Sequence, residues 1–228
     1  MTDERLLTFI HSFDREKPDY LEELEQYSLE TNVPIIRPQM QNLLRLLITW
    51  RKPARILEVG TAIGFSALFM SAYAPEGCRI TTIEKYEKRI PIAKENFVKY
   101  GKEQMITLLE GDAAEILSEL PDNGAYDLIF MDAAKGQYIH FLPDILRLLS
   151  PNGILVSDNI LQEGELIESK YAVTRRNRTI HNRMREYLYA LTHDDKLETM
   201  ILPIADGVTL SVFRQADFEG SKENLNEQ

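Results

Sequence analysis

One cysteine in 228 residues, Cys78, leaves no internal disulfide framework. Histidine is also scarce, with four in the chain, and no Cys/His cluster has zinc-ligand spacing. No apolar run approaches the roughly 20 residues that span a bilayer. The first residues, "MTDERLLTFIHSFDREKPDY", interleave acids with short apolar stretches, so neither a membrane anchor nor a cleavable leader is expected. A reducing cytoplasm is the expected location. Positive charge is not in excess either: a net charge of −10 argues against coating nucleic acid by bulk electrostatics. The dinucleotide fingerprint G-x-G-x-x-G is missing as well, which argues against a nucleotide-dependent dehydrogenase.

What is present is ordinary in bulk and uneven in detail. At 44% hydrophobic and 27% charged residues, the chain suits one large soluble domain. The basic charge is concentrated. Between Ser169 and Arg185 stand six Lys/Arg and no acid, so the remaining residues carry −16.

Three segments at the start, "DERLLTFIHSF", "DYLEELEQYSLET" and "RPQMQNLLRLLITW", repeat apolar residues every three or four positions and predict helices punctuated by Pro18, Pro34, Pro38 and Pro53. From Ala54 the pattern changes to short apolar runs: "ARILEVG", "CRITTIE", "MITLLEG", "AYDLIFMD" and "NGILVSD", separated by helix-compatible stretches. This alternation predicts an α/β fold with a doubly wound, mostly parallel sheet covered on both faces. "LETMILPIA" and "GVTLSVFRQ", joined through "DG", predict a closing antiparallel hairpin, for seven strands in all. The expected organisation is an N-terminal helical extension over 1–52, a main domain over 53–216 and a polar tail over 217–228.

Folds of this kind bind ligands at the carboxyl ends of their strands. After the first strand, "EVGTAIGFS" offers Gly60 and Gly64 for a tight turn and Ser66 near a helix start, which suits a carboxylate; an ordinary strand-to-helix turn is the alternative. After the second, Glu84 stands where an acid can accept from both ribose hydroxyls, or merely favour a helix N-terminus. After the third, Asp112 either caps a helix or holds an adenine amino group, and Ala113 leaves room for the ring. After the fourth come Asp132, Lys135 and Tyr138, and after the fifth Asp158 and Asn159. Asp132, Asp158 and Asn159 on neighbouring strand ends form an oxygen-only set that suits Mg²⁺. A plain Asp132–Lys135 salt bridge remains an alternative.

In this order, "LEVGTAIGFSAL", Glu84, "GDA", "MDAAKGQY" and "SDN" resemble the metal- and S-adenosylmethionine-dependent class I O-methyltransferases, the group of catechol and caffeoyl-coenzyme A O-methyltransferases. The resemblance runs from about Pro34 to the last strand, and D-A-x-K with a later D-N is its most specific part. It implies a Rossmann-like fold, S-adenosylmethionine as methyl donor and a homodimer. It implies Ile36, Gly60, Ser66, Glu84, Asp112, Ala113 and Asp132 at the cofactor. Asp132, Asp158 and Asn159 match the metal ligands and Lys135 the general base, with Tyr138 packing or positioning substrate. Such a base needs a lysine pKa lowered from about 10.4 toward neutrality.

Among the family's branches the chain is most similar to bacterial tRNA 5-hydroxyuridine methyltransferases, which act at the wobble position of the anticodon loop. A uracil with a 5-hydroxyl beside its 4-carbonyl presents two adjacent oxygens, as catechol does. On this reading Arg175, Arg176, Arg178 and Arg183 hold flanking RNA phosphates. The alternatives are a small catechol-like or caffeoyl-coenzyme A acceptor, and a non-catalytic RNA-binding or regulatory protein. For the basic segment itself, a solvated helix face or an intersubunit contact is the bland alternative.

Overall fold

The computed structural model describes residues 4–121 and 126–214. The first three periodic segments form α1 (Glu4–His11), α2 (Asp19–Thr31) and α3 (Pro38–Arg51). Pro38 opens α3 where its missing N–H leaves no bond unmade, and Asn32 and Lys52 end α2 and α3 in the left-handed conformation. Strands β1 (Arg55–Val59), β2 (Arg79–Glu84), β3 (Ile106–Glu110), β4 (Tyr126–Met131) and β5 (Leu149–Ser157) follow. Between them lie α4 (Phe65–Tyr73), α5 (Ile90–Lys99), α6 (Ala113–Glu119) and α7 (Tyr138–Leu148). Beyond β5 come α8 (Arg178–His193), β6 (Leu197–Leu202) and β7 (Val208–Phe213).

The strands build one seven-stranded sheet in the order β3-β2-β1-β4-β5-β7-β6. β1 to β5 pair in parallel, and β7 runs antiparallel to both β5 and β6. The expected hairpin is therefore present, with its second strand inserted against β5. Its turn is longer than the "DG" pair: residues 203–207 separate the closing partners Leu202 and Val208.

Successive residues of each inner strand serve opposite cores, as the strand period of two requires. Ile56, Leu128, Phe130, Ile154 and Val156 pack with α2, α3, α4 and α5. Leu57, Val59, Ile129, Met131 and Leu155 pack with α6, α7 and α8. Of the helices expected as an N-terminal extension, α2 and α3 thus share a core with the sheet, while α1 buries no residue. The expected tail, 217–228, lies outside the described residues. No helix among the described residues is long and apolar enough to cross a membrane. Strand order reverses between β1 and β4, and the carboxyl ends there open into a cleft.

Candidate active site

The cleft has a volume of about 900 Å³ and runs across the strand ends from β3 to β5. Ile36, Gly60, Ser66, Glu84, Asp112 and Ala113, expected at the cofactor, all line it. So do Asp132, Lys135, Asp158 and Asn159. Tyr138 and the four arginines do not appear on its walls.

Gly60 has φ +108, and a Cβ there would lie 2.1 Å from the Asp132 carbonyl oxygen. The close approach that demands glycine is thus to the protein's own β4 end. Gly64 (φ +86) likewise makes room for the Phe97 ring, 2.5 Å from an added Cβ. Glu84 stands ahead of a turn, with α5 starting only at Ile90. Its carboxylate accepts from Ala62 N (2.8 Å), Lys85 N (3.0 Å) and Tyr86 N (2.8 Å), tying the glycine loop to that turn. Asp112 does cap α6, accepting from Ala114 N at 2.9 Å, and pairs with Lys85 at 3.2 Å. That cap, together with Lys85, holds its carboxyl below the usual range. Both of its oxygens already have partners, so an adenine amino group would share them. Ile36 contributes its place in the 34–37 strap, whose carbonyl at Ile36 accepts from buried Gln41 at 3.0 Å.

At the β4 end, Lys135 Nζ donates to Asp132 Oδ1 at 2.7 Å and to the Tyr138 hydroxyl at 2.9 Å. Burial alone would lower the Lys135 amine, but its neighbours Tyr138 and Asp132 reverse this and raise it. The depression toward neutrality that a general base needs would require a cation to draw off the Asp132 charge that opposes it. Tyr138 is fully buried, packs edge-on against Tyr187 at 5.3 Å, and its phenol donates to Met131 O at 2.9 Å. It holds Lys135 and the β4 end from behind the cleft wall.

Asp158, 2% exposed, continues the β5 ladder through its N–H to Met131 O at 3.0 Å. Burial pushes its carboxyl up to about 7; Asp132 adds to this, Lys135 opposes it, and Asp206 adds again. Asn159 follows with φ +53. Among the described residues no group of three His, Cys, Asp or Glu forms a metal cluster. The candidate set is two carboxylates and an amide, and the like charges crowding Asp158 are what a divalent cation would relieve. The residues present fit such an ion.

Three acids in or behind the cleft wall were not singled out from the sequence. Glu58 is fully buried in β1, with Thr82 donating to Oε2 and Oε1 lacking a hydrogen-bond partner. Burial pushes its carboxyl to about 7 despite nearby Ser66 and Thr82, and the charges of Asp132 and Glu84 add to the shift. Its signal was visible as a lone acid inside the apolar run "RILEV". Glu163 and Asp206, which unlike Glu58 line the wall, gave no such signal.

The basic segment divides. Arg183 donates to Gly136 O (3.1 Å), Arg178 to Val173 O (3.3 Å) and Arg185 to Leu166 O (3.1 and 3.2 Å). Each of these guanidiniums spends part of its donor set on a backbone carbonyl, so Arg178 and Arg183 would share their remaining N–H groups with a phosphate. Arg175 and Arg176 are exposed just before α8.

The sequence pattern of the O-methyltransferase family matches residues 11–214. The chain belongs to the O-methyltransferase family. This O-methyltransferase is 31% identical over 197 residues to O-methyltransferase ankF of Aspergillus thermomutatus, covering 79% of this chain and 80% of that one. It is 32% identical over 143 residues to the catechol O-methyltransferase of Niastella koreensis (61% and 65% covered). It is 27% identical over 205 residues to caffeoyl-CoA O-methyltransferase 2 of Populus trichocarpa (85% and 81%). Among solved structures, the SAH-bound methyltransferase PaMTH1 of Podospora anserina superposes with a TM-score of 0.82 at 28% identity, covering 93% of this chain and 95% of that one.

Proposed function

We propose that this O-methyltransferase moves the methyl group of S-adenosylmethionine to an acceptor oxygen that has a second oxygen beside it on a planar ring. A small catechol- or caffeoyl-CoA-type phenol is the first reading. The observation that carries it is the oxygen-only set of Asp132, Asp158 and Asn159 beside Lys135, at the end of a cleft long enough for a nucleoside donor. The names of the relatives support the acceptor class.

The reaction is an in-line displacement. The acceptor oxygen bonds the methyl carbon, the carbon–sulfur bond breaks, and sulfur keeps the electron pair as a thioether. Alignment of the three atoms supplies much of the rate. Asp132, Asp158 and Asn159 would hold a divalent cation, which when bound lowers the pKa of an acceptor hydroxyl. Lys135 Nζ receives the acceptor's proton only as the neutral amine, a state that pairing with Asp132 opposes. Neutralising the Asp132 charge is therefore the condition for Lys135 to act as base. Until then its ammonium attracts an ionised oxygen.

A second reading, transfer to the 5-hydroxyl of 5-hydroxyuridine at the tRNA wobble position, giving 5-methoxyuridine, is favoured by one feature. Arg175 and Arg176 are exposed ahead of α8, and α8 bonds the Lys135–Gln137 turn through Arg183. Guanidiniums on that lip suit the phosphates flanking a loop base. Labelled S-adenosylmethionine with Mg²⁺ and, in turn, catechol, caffeoyl-CoA and hydroxyuridine-containing tRNA separates the two. Methylation of the phenols alone removes the RNA reading, and methylation of tRNA alone overturns the first. In the RNA case, Arg175→Glu with Arg176→Glu weakens transfer and flattens its salt dependence. Activity that survives EDTA removes the cation. Lys135→Ala is expected to cut turnover by about 100-fold or more with S-adenosylmethionine affinity retained by calorimetry; undiminished turnover removes it as base. For the expected homodimer, exposed Phe9, Phe13, Leu46 and Trp50 offer an apolar surface, which light scattering tests.

A further inference from the structure

The segment leaving β5 holds a backbone that its residues rarely adopt. Asn159, Gln162 and Glu163 have φ of 53, 51 and 55, followed by Gly164 at 90. Conformations of this kind persist only where the surroundings over-determine them. Three hydrogen bonds reach the segment from the β6–β7 turn: Ile160 N to Gly207 O (3.0 Å), Leu161 N to Asp206 O (2.9 Å) and Glu163 N to Asp206 Oδ1 (2.7 Å). Gly207, φ +81, lets the turn approach closely, since a Cβ there would stand 2.3 Å from Leu161 Cγ. Asp206 is only 8% exposed and shares the cleft wall with Asp158, Asn159 and Glu163.

We infer that Asp206 is a positioning residue, whose side chain fixes the loop that carries Asn159 and Glu163 and so sets the acceptor side of the cleft. The inference rests on the reading of Asn159 as a cation ligand. Two of the three ties are made by main-chain carbonyls, which any residue supplies. The third depends on the Asp206 carboxylate, and a carboxylate accepts from an N–H more strongly than a neutral oxygen does. Without it the Glu163 N–H loses its protein acceptor and the left-handed pair Gln162–Glu163 loses its anchor. Asn159, one to four residues upstream of the tied amides, loses its fixed aim. Glu163 no longer marks the lip. None of these residues belongs to the strand ends of β1, β2 or β3 that form the other end of the cleft.

The test uses the full chain with Asp206→Ala and Asp206→Asn, read by Mn²⁺ titration with electron paramagnetic resonance, S-adenosylmethionine calorimetry and amide hydrogen exchange over residues 160–164. Asp206→Ala is expected to weaken Mn²⁺ by about tenfold, the scale of one charge-assisted hydrogen bond, and to speed exchange at Glu163, with the donor's affinity within about twofold. Asp206→Asn, which keeps an acceptor oxygen, recovers most of both effects. Native exchange and native Mn²⁺ affinity in Asp206→Ala overturn the inference. Equal damage in the two variants also overturns it, because charge and not the hydrogen bond would then be responsible. A matching loss of donor affinity overturns it as general loosening. Native protein that binds no Mn²⁺ refutes the cation reading instead, and the exchange result with its rescue then decides the inference alone.

Discussion

Replacing Glu58 with glutamine removes a carboxyl that lies fully buried in β1, just ahead of the glycine loop that opens at Gly60. Its only hydrogen-bonded oxygen is Oε2, on Thr82, and Oε1 has none. Burial raises its pKa from 4.5 to about 7 in the folded chain. The folded state therefore binds the proton more tightly than the unfolded one, and stability falls as pH rises from 4.5 through about 7. At about 1.36 kcal/mol per pH unit that interval costs roughly 3 kcal/mol, an upper figure because the side chain can relax. Below pH 4.5 the cost vanishes, since both states are protonated. Glutamine cannot ionise, so the melting temperature of Glu58→Gln minus that of the native chain should climb between pH 5 and pH 8. For a domain of this size roughly 3 kcal/mol corresponds to about 6–12 °C. Scanning calorimetry of the ligand-free protein across that range reads the difference directly, and Asp158, present in both proteins, cancels. A difference that stays flat with pH would refute the claim that the native chain houses an ionisable, poorly solvated acid there.

Gly60→Ala places a methyl against the Asp132 carbonyl and forces a left-handed alanine, so urea unfolding should show a loss of about 3 kcal/mol. Binding of S-adenosylmethionine should fall beyond calorimetric detection, and native affinity would show that the β1–β4 contact is dispensable. Gln41→Ala removes the amide that bonds Glu25 Oε1 at 2.7 Å and Ile36 O at 3.0 Å, and that accepts from Lys17 at 3.2 Å. It should cost about 2 kcal/mol in stability and raise the KM for S-adenosylmethionine more than it lowers kcat, because the 34–37 strap lines the cleft. A KM equal to the native one would detach the strap from donor binding.

The fold was readable because its signals are local. Short, Ile- and Leu-rich runs such as "RILEV" and "YDLIFM", alternating with helical stretches, point to buried strands, and the residues that end them fall at one edge of a parallel sheet whatever their order. That much brings Glu84, Asp112, Asp132 and Asp158 to a common cleft without coordinates. Strand order was not readable, since insertion of β7 between β5 and β6 depends on long-range pairing. Nor could the sequence say that Gly60 is glycine on account of Asp132, 72 positions away.

By itself, then, the sequence determined an α/β chain of the O-methyltransferase kind, with its acids and Lys135 at strand ends. Tertiary structure alone decided what each charge meets. It pairs Lys135 with Asp132 and raises the amine where a base would need it lowered. It gives Arg178, Arg183 and Arg185 backbone carbonyls as partners and gives Arg175 and Arg176, exposed like Arg178 and Arg185, a place just ahead of α8. It sets Asp206 beside Glu163, 43 residues apart in the chain. The physical reason is range. Periodicity and turn chemistry act within a few residues, whereas a pKa or a guanidinium's partner depends on burial and on charges within a few ångströms, which only the packed chain assembles.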